Sequence, residues 1–267
     1  WHSHNGGQIL LVTEGIGIYQ EEGQPARLMQ PGDVIMAEPG VKHWHGASDN
    51  NWFAHVGIST NPDNSSTNWM EKVNDEEYNA AVAQAKANTK IKTDNTHVFD
   101  IGDINPSANV FTGVSYLNNL VQTDDIFNCA PVYNVTFEPC TRTDWHSHHG
   151  GQILLVTEGT GIYQEEGQPA RLMQPGDVIM AEPNVKHWHG ASDSGMFAHL
   201  GISTNPDNSE VDWLEKVSDD EYNKAVAQAK GETVIETPAE STDNNTEEEN
   251  NTLVVYFSRT GTTKSVA

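Results

Sequence analysis

An internal repeat is the feature that most constrains the fold of this chain. Residues 1–49 return as residues 145–193, and the two stretches differ only at their positions 5, 16 and 40. A repeat of this quality means that the chain contains two copies of one structural unit. Each copy holds the same closely spaced histidines, so the duplicated unit is expected to carry a metal site.

Charge and hydropathy exclude two classes of partner. The formal net charge is −24, and only 14 lysines and arginines are present. Such a surface repels nucleic acid and anionic membranes, so neither is predicted as a partner. The sequence also lacks an apolar run of about 18 residues, the length needed to cross a bilayer. We expect a cytoplasmic protein. We also expect its N-terminus to be clipped, because the chain opens directly on the repeated motif.

Short apolar runs separated by turn signals predict an all-β fold. In the first copy the runs are residues 8–12, 34–37 and 52–58, with Pro-Gly and Glu-Gly pairs between them. Strands at this spacing are typical of a sandwich or barrel. A helix is predicted after each copy, because residues 74–77 and 218–221 have an N-cap residue followed by acidic residues. These helices should pack on the outside of the β structure.

Residues 97–144 provide strands for the second copy that the first copy lacks. Residues 110–117 and 131–137 read as strands, the latter alternating toward a core. Their equivalents in the first copy would precede Trp1. The first copy is therefore expected to be incomplete and to have open strand edges. Either the natural chain is longer, or a neighbouring molecule provides the strands.

The repeated histidines have the spacing of metal ligands. His146 and His148 point to one face of an extended strand, and Gln152 follows at an even spacing. The turn at residues 175–177 and the bend near Pro183 would return His187 to face them. The equivalents in the first copy are His2, His4, Gln8 and His43. The alternative is that these are ordinary surface or core histidines, but the combination occurs twice.

The two motifs resemble those of the cupin superfamily, small β-barrels that hold a metal between facing strands. The resemblance covers nearly all of residues 1–230. It implies an all-β fold of two tandem cupin barrels, also called double-stranded β-helices or jelly rolls, with peripheral helices. The implied domains are residues 1–92, with N-terminal strands missing, and residues 93–230. The first cupin motif usually has a glutamate after the two histidines, whereas this chain has Gln8 and Gln152.

With a glutamine in that place, the chain resembles small cupins that have three histidines and one glutamine. These include manganese-dependent hydroxynitrile lyases and cupins associated with carboxymuconolactone decarboxylase-like domains; residues 135–139 and 186–191 resemble this group in particular. The resemblance implies that the metal ligands are His146, His148, Gln152 and His187, with His2, His4, Gln8 and His43 in the first copy. Neutral ligands leave the ion a strong Lewis acid. We expect Mn²⁺ or Fe²⁺, with Zn²⁺ or Ni²⁺ as alternatives.

Further histidines lie on neighbouring segments. In the lyases that the chain resembles, a histidine on the strand matching residues 197–202 acts as general base, which implies this role for His199 and for His55 in the first copy. The alternative is a polar pocket residue or a satisfied core histidine. His189 and His45 share a strand face with His187 and His43 and are expected to orient a ligand by a hydrogen bond. Trp44 and Trp188 should point away from the metal and pack.

The C-terminal part differs in composition from the rest. Residues 231–251 are rich in Thr, Asn and Glu and are predicted to be a disordered acidic linker. Residues 252–267 resemble the opening of a flavodoxin, a truncated fragment of an α/β domain. The resemblance implies FMN contacts, but only in an intact domain, at Ser258, Thr260, Gly261, Thr262 and Thr263. The alternative is a stray apolar strand followed by a polar loop.

Together these observations predict a divalent-metal-dependent enzyme that acts on a small oxygen-bearing organic molecule. The reaction would be a lyase type or an O₂-dependent oxidation, linked in the full chain to an FMN-binding redox domain. The alternative is a non-catalytic module that binds or senses a small ligand or metal, since one fold serves many functions. A homodimer is expected by resemblance alone.

Overall fold

The computed structural model describes residues 1–92, 96–122 and 126–232, which belong to one compact unit. These residues form mostly antiparallel β-sheet with two α-helices and three short 3₁₀ helices, at Pro62–Asn64, Ala108–Val110 and Pro206–Asn208. The predicted linker from residue 233 onward and the flavodoxin-like segment lie outside the described residues. The domain boundaries given above therefore stay predictions.

The first repeat folds into two antiparallel sheets, here called the first sandwich. One sheet has the order β4-β3-β6-β1-β8, and the other has the order β5-β2-β7. The helix α1 follows the last strand. The elements are β1 His2–His4, β2 Gln8–Gly15, β3 Gly17–Glu21, β4 Arg27–Met29, β5 Val34–Ala37, β6 His43–Ala47, β7 Phe53–Ser59, β8 Thr67–Trp69 and α1 Asp75–Asn88.

The second repeat, with the segment before it, forms the larger second sandwich. Its sheets have the orders β10-β13-β19-β14-β21, with β16 joining β19 to β17, and β18-β15-β20-β12-β11-β9. The elements are β9 Asp103–Ile104, β10 Phe111–Thr112, β11 Ser115–Val121, β12 Val132–Phe137, β13 Arg142–Thr143, β14 His146–His148, β15 Gln152–Gly159, β16 Gly161–Glu165, β17 Arg171–Met173, β18 Val178–Ala181, β19 His187–Ala191, β20 Phe197–Ser203, β21 Val211–Trp213 and α2 Asp219–Ala229.

Alternating side chains from both sheets form the core of each sandwich. In the second sandwich Leu154 and Phe197 from one sheet meet Tyr163 and Met173 from the other, and all four are buried. The first sandwich has a matching but smaller core. A third cluster joins the two sandwiches through the outer faces of β2 and β20 and the connecting segment; its fully buried members include Ile9, Leu11, Phe99 and Leu200. Burying this apolar surface holds the two repeats together.

The predicted helices are confirmed. Each begins with a capping box. The N-cap side chain, Asn74 or Ser218, accepts a hydrogen bond from the backbone N–H of the third helical residue, which is a glutamate. The side chain of that glutamate accepts a hydrogen bond from the backbone N–H of the N-cap residue. Both helices pack on the outside of a sheet. Trp44 and Trp188 lie buried beneath them, away from the histidine cluster, as predicted.

The single strand predicted over residues 110–117 is wrong. Val110 ends a 3₁₀ helix, β10 covers only Phe111–Thr112, and β11 starts at Ser115 in the opposite sheet. Gly113 lies between them with a φ of 96°, and a Cβ there would clash with the side chain of Thr141. The glycine thus lets the chain cross from one sheet to the other. The strand predicted over residues 131–137 is confirmed as β12.

The open edge expected in the first sandwich is present. Among the described strands, β7 pairs only with β2, whereas its repeat equivalent β20 pairs with β15 on one side and β12 on the other. The first sandwich has no counterparts of β9 to β13 among the described residues. This asymmetry decides how enclosed each candidate site is.

Candidate metal centre

Three histidines of the second sandwich meet on one face of one sheet. His146 and His148 are the first and last residues of β14 and point to the same side, because strand side chains alternate. His146 pairs directly with His187 of β19. One ring nitrogen of each histidine lies within 4.8 Å of those of the other two, and all three residues are buried. This is the spacing of ligands around a single ion, as the sequence predicts.

Gln152 reaches the cluster from the opposite sheet. It is the first residue of β15, and its Oε1 lies 3.1 Å from Nε2 of His187. Nitrogen and oxygen donors therefore converge between the two sheets. A mixed set of three imidazoles and one amide oxygen is neutral and lacks a thiolate, unlike closed structural zinc sites.

Backbone carbonyls hold two of the rings in orientation. Nδ1 of His146 lies 2.9 Å from the carbonyl oxygen of Asp144, and Nδ1 of His187 lies 2.9 Å from that of Val185. When Nδ1 donates to a carbonyl, the lone pair is on Nε2, which faces the cluster. The sequence assigned the orienting role to His189, and it gave no signal for these carbonyls because every residue has one.

Burial keeps the imidazoles neutral. Desolvation lowers the pKa of His148 to about 4, and it lowers the pKa of His146 well below the usual range, with His187 adding to both effects. Both ring nitrogens of His148 are buried without a hydrogen-bond partner. A buried nitrogen without a partner is costly. A cation that accepts its lone pair would remove that cost, so these residues fit a divalent metal.

His199 and His189 lie beside the cluster. Their ring centroids are 4.9 Å apart, and His189 is 5.3 Å from His146. Burial lowers the pKa of His199 to about 4 and that of His189 well below its usual range. Both nitrogens of His199 and Nδ1 of His189 are buried without a partner. The two side chains are therefore neutral and able to accept a proton or a hydrogen bond from a bound molecule.

A cavity of about 340 Å³ opens next to these histidines. His146, His148, Gln152, His189 and His199 line one part of it. The remaining wall is mainly aromatic and apolar, and it comes largely from the strands that precede the second repeat; it includes Phe111, Tyr133, Val135, Phe137 and Trp213. The sequence gave no signal that these residues line the site, although all of them except Trp213 lie in segments predicted as strands. A pocket with an apolar wall and a few polar groups is typical of a small-molecule site.

The first sandwich groups its histidines differently. Its close group is His2, His43 and His45, and the predicted ligand His4 is not among them. Nδ1 of His4 lies 3.1 Å from the hydroxyl oxygen of Thr67, whereas the second repeat has an apolar Val211 at the matching position. Nε2 of His4 is buried without a hydrogen-bond partner, so this ring still has a free nitrogen. Gln8 keeps its place, with Oε1 3.1 Å from Nε2 of His43.

The first site is also more open than the second. Its cavity of about 400 Å³ is lined by Trp69 and several of the histidines, and Trp69 is 79% exposed against 39% for its equivalent Trp213. His55 lies beside His45, with ring centroids 4.9 Å apart, and burial lowers its pKa. The FMN contacts predicted at Ser258, Thr260, Gly261, Thr262 and Thr263 lie outside the described residues.

Comparison with known proteins decides the family. A family model described as a cupin domain matches residues 1–52 and 133–200. A curated relative, (R)-mandelonitrile lyase of Granulicella tundricola, is 43% identical over 117 residues, covering 44% of this chain and 88% of the relative. The chain belongs to the cupin family.

Solved cupin structures share the fold across unrelated roles. A mutant of salicylate 1,2-dioxygenase from Pseudoaminobacter salicylatoxidans has a TM-score of 0.53 and 13% identity, covering 79% of this chain and 70% of that one. Procruciferin, an 11S globulin of Brassica napus, has a TM-score of 0.52 and 12% identity, covering 80% and 74%. These likenesses concern the cupin fold alone, which serves both an enzyme and a globulin. Neither described helix has the length and apolar character needed to cross a bilayer.

Proposed function

We propose that this cupin is a divalent-metal-dependent lyase that cleaves a carbon–carbon bond in a small hydroxyl-bearing molecule of the cyanohydrin class. The two sandwiches are then tandem cupin barrels, and the reaction takes place in the second. The observation that carries the proposal is the meeting of His146, His148, Gln152 and His187 beside a mainly apolar cavity. The 43% identity to (R)-mandelonitrile lyase supports a cyanohydrin substrate.

His146, His148, His187 and Gln152 would hold the ion, and we propose Mn²⁺ or Fe²⁺. When bound, a divalent ion in a neutral ligand set supplies Lewis acidity toward a substrate oxygen. The protein contributes a fixed arrangement, because the carbonyls of Asp144 and Val185 hold two of the rings in place. His2, His4, Gln8, His43 and the neighbouring His45 supply the candidate ligands in the first barrel.

His199 is the candidate general base. It lines the cavity, and it is neutral above a pKa of about 4, so it can accept the hydroxyl proton of a bound cyanohydrin. As that proton leaves, the carbon–oxygen bond becomes a carbonyl, the bond to the nitrile carbon breaks, and cyanide departs with the electron pair. His189, next to His199, can hydrogen-bond the same substrate. His55 is the equivalent base candidate in the first barrel.

The aromatic wall explains what the cavity can exclude. Phe111, Phe137 and Trp213 border the cavity and would limit the access of water to a bound molecule. A volume of about 340 Å³ holds a small organic molecule rather than a polymer. His189, His199 and Trp213 are more buried than their equivalents in the first barrel, which favours the second barrel as the place of turnover.

A direct assay tests the proposal. The chain is purified without chelator or immobilised nickel, loaded with Mn²⁺, Fe²⁺ or Zn²⁺, and given mandelonitrile while benzaldehyde release is followed by absorbance. His199→Ala should lower the rate by about 100-fold or more while the metal content stays the same. The matched variant His55→Ala should leave the rate nearly unchanged, since it alters only the first barrel.

Other outcomes separate the rival functions. Turnover of a phenolic substrate with O₂ uptake, and none of mandelonitrile, would support the oxidation chemistry instead. A chain that binds metal but turns over neither class would support a non-catalytic module for binding or sensing a small ligand. The homodimer, and the use of FMN by a flavodoxin-like domain, stay predictions that light scattering and FMN titration of a longer chain would test.

A further inference from the structure

Among the described residues, none pairs with the hydroxyl of Tyr133 on the wall of the second cavity. Tyr133 is the second residue of β12 and lines the cavity together with His199. We propose that the Tyr133 hydroxyl donates a hydrogen bond to the nitrile group of the substrate and stabilises the cyanide as it leaves. The proposal rests on the function proposed above and adds a substrate-binding residue to it.

The sheet places Tyr133 next to the candidate base. On the neighbouring strand β20, Gly201 lies directly opposite Tyr133, and His199 lies directly opposite Val135. Residues that pair in this way present their side chains to the same face of a sheet, and so do residues two apart on one strand. Tyr133, Val135 and His199 therefore share the inner face, and all three line the cavity.

Gly201 leaves room for a small group between these residues. A Cβ at this position would lie 3.6 Å from Cε1 of His199 and 4.0 Å from Nε2 of Gln152, which are ordinary contact distances. Because glycine has no Cβ, a bound molecule can rest there and touch both the base candidate and a candidate metal ligand. The equivalent glycine of the first repeat, Gly57, has the same two neighbours at 3.8 and 3.9 Å.

The Tyr133 hydroxyl is able to donate at neutral pH. Burial raises the pKa of Tyr133, so the phenol stays protonated. A tyrosine hydroxyl inside a protein usually finds a partner. Tyr222 of the same sandwich, for example, donates its hydroxyl to the carbonyl of Ala191 at 2.9 Å. Since Tyr133 has no such partner among the described residues, its hydroxyl is available to a molecule in the cavity.

The charge that develops during cleavage calls for a donor of this kind. His199 takes the hydroxyl proton, and the electron pair of the carbon–carbon bond leaves with the cyanide. No lysine or arginine lines the cavity within the described part of the chain, so no cationic side chain can meet that negative charge. A fixed hydrogen-bond donor stabilises such a charge where it forms. The Tyr133 hydroxyl keeps its own proton in this step, because it donates a hydrogen bond only.

Other hydroxyls on the cavity wall are less suited to this task. Ser107 and Ser209 are exposed, so water can satisfy them. The hydroxyl oxygen of Thr143 already accepts a hydrogen bond from a backbone N–H. Ser203 is half-buried and lines the same cavity, and it is therefore the rival donor that the experiment includes. A phenol is also more acidic than the hydroxyl of a serine, which makes Tyr133 the stronger donor.

Phenylacetonitrile is a probe that tests the hydrogen bond without turnover. It has the aromatic ring and the nitrile of mandelonitrile but no hydroxyl, so it cannot be cleaved. The full chain is loaded with Mn²⁺, binding is measured by calorimetry, and the nitrile stretch is recorded by infrared spectroscopy. A hydrogen bond to the nitrile nitrogen raises the frequency of this band. Tyr133→Phe should therefore lower the frequency and weaken binding by about fivefold. Ser203→Ala should change neither, nor should Tyr116→Phe, whose hydroxyl bonds Glu138 instead.

Kinetics separate this proposal from the proposed function. With mandelonitrile, Tyr133→Phe should lower kcat by about tenfold or more and change KM little, because the bond strengthens as charge develops, while metal content and melting temperature stay the same. A chain that shows the Tyr133-dependent band without cleaving mandelonitrile would support the hydrogen bond and contradict the reaction.

Three results would overturn the proposal while leaving the reaction intact. They are failure of phenylacetonitrile to bind the unmodified chain, a nitrile band that Tyr133→Phe leaves unchanged, and a band that shifts only in Ser203→Ala.

Discussion

His146 and His187 lie directly opposite each other on neighbouring antiparallel strands, and their ring centroids are 4.3 Å apart. His2 and His43 repeat the same register and the same 4.3 Å separation in the first sandwich. This pair is therefore set by the sheet itself and not by what covers it. Differences between the two sites must arise from the residues around the pair, namely His4 with Thr67 and the strands that enclose only the second site.

Removing one histidine of either pair should remove one metal ion. Each imidazole supplies one of the lone pairs that would hold the ion, so His187→Ala should weaken metal binding at the second site by about 100-fold. His43→Ala is the matched control for the first site. Elemental mass spectrometry after dialysis should show about one ion fewer per chain in each variant, and only His187→Ala should abolish turnover. Equal loss of turnover in both variants would contradict a single active barrel.

The second site should lose its metal at a lower pH than an exposed histidine site would. Protons compete with the ion for the imidazoles, and in an exposed site this begins near pH 6.5. Burial lowers the pKa of His148 to about 4 and that of His146 well below 6.5. The second site should therefore hold its ion almost unchanged from pH 7 to pH 5 and release it as the pH falls toward 4. Dialysis at a series of pH values followed by metal analysis checks this, and release already complete at pH 6 would contradict it.

The repeat made much of the fold predictable. Residues 34–37 are strand β5 as predicted, because turn signals bound the apolar run on both sides. The period of two in the histidine motif correctly placed His146 and His148 on one face. The strand predicted across Gly113 is wrong, because a single positive φ moves the chain to another sheet without changing the apolar pattern.

The finer structure of the site could not be predicted from the pattern. The grouping of His45 rather than His4 with His2 and His43 has no signal in the repeated motif, because both repeats carry the same histidines. The carbonyls that orient His146 and His187 have no sequence signature at all. The enclosure of the second cavity depends on a long-range pairing of strands whose partners are far apart in the chain.

The metal-free chain should lose stability as the pH falls. Above pH 6.5 the histidines are neutral in both the folded and the unfolded chain. Below pH 6.5 the histidines of the unfolded chain become protonated. In the folded chain the buried rings of His148 and His199 have a pKa of about 4 and stay neutral until the pH reaches about 4. The unfolded state therefore binds more protons between pH 6.5 and pH 4, and the free energy of unfolding falls. Each of the two residues should cost about 2 kcal/mol by pH 5.

Urea denaturation of the metal-free protein at pH 7 and pH 5 measures this loss. The double variant His148→Gln and His199→Gln should show a smaller difference between the two pH values, since glutamine does not titrate. A free energy of unfolding that stays constant between pH 7 and pH 5 would mean that the two rings are not buried in the metal-free chain. Adding Mn²⁺ at pH 7 should raise the stability, because the ion binds only the folded state.

A pair of equivalent glycines should respond in opposite ways to the same substitution. Gly190→Ala forces a methyl group against the backbone of Thr141 and Arg142, and such overpacking costs about 1–3 kcal/mol. Gly46→Ala meets nothing within 4 Å, and an alanine in a strand is favoured over glycine, so it should be neutral or slightly stabilising. Thermal melts of the two variants beside the unmodified chain check this. Equal destabilisation by both would mean that a segment already covers Gly46 in solution, as it covers Gly190, and that β7 is paired there too.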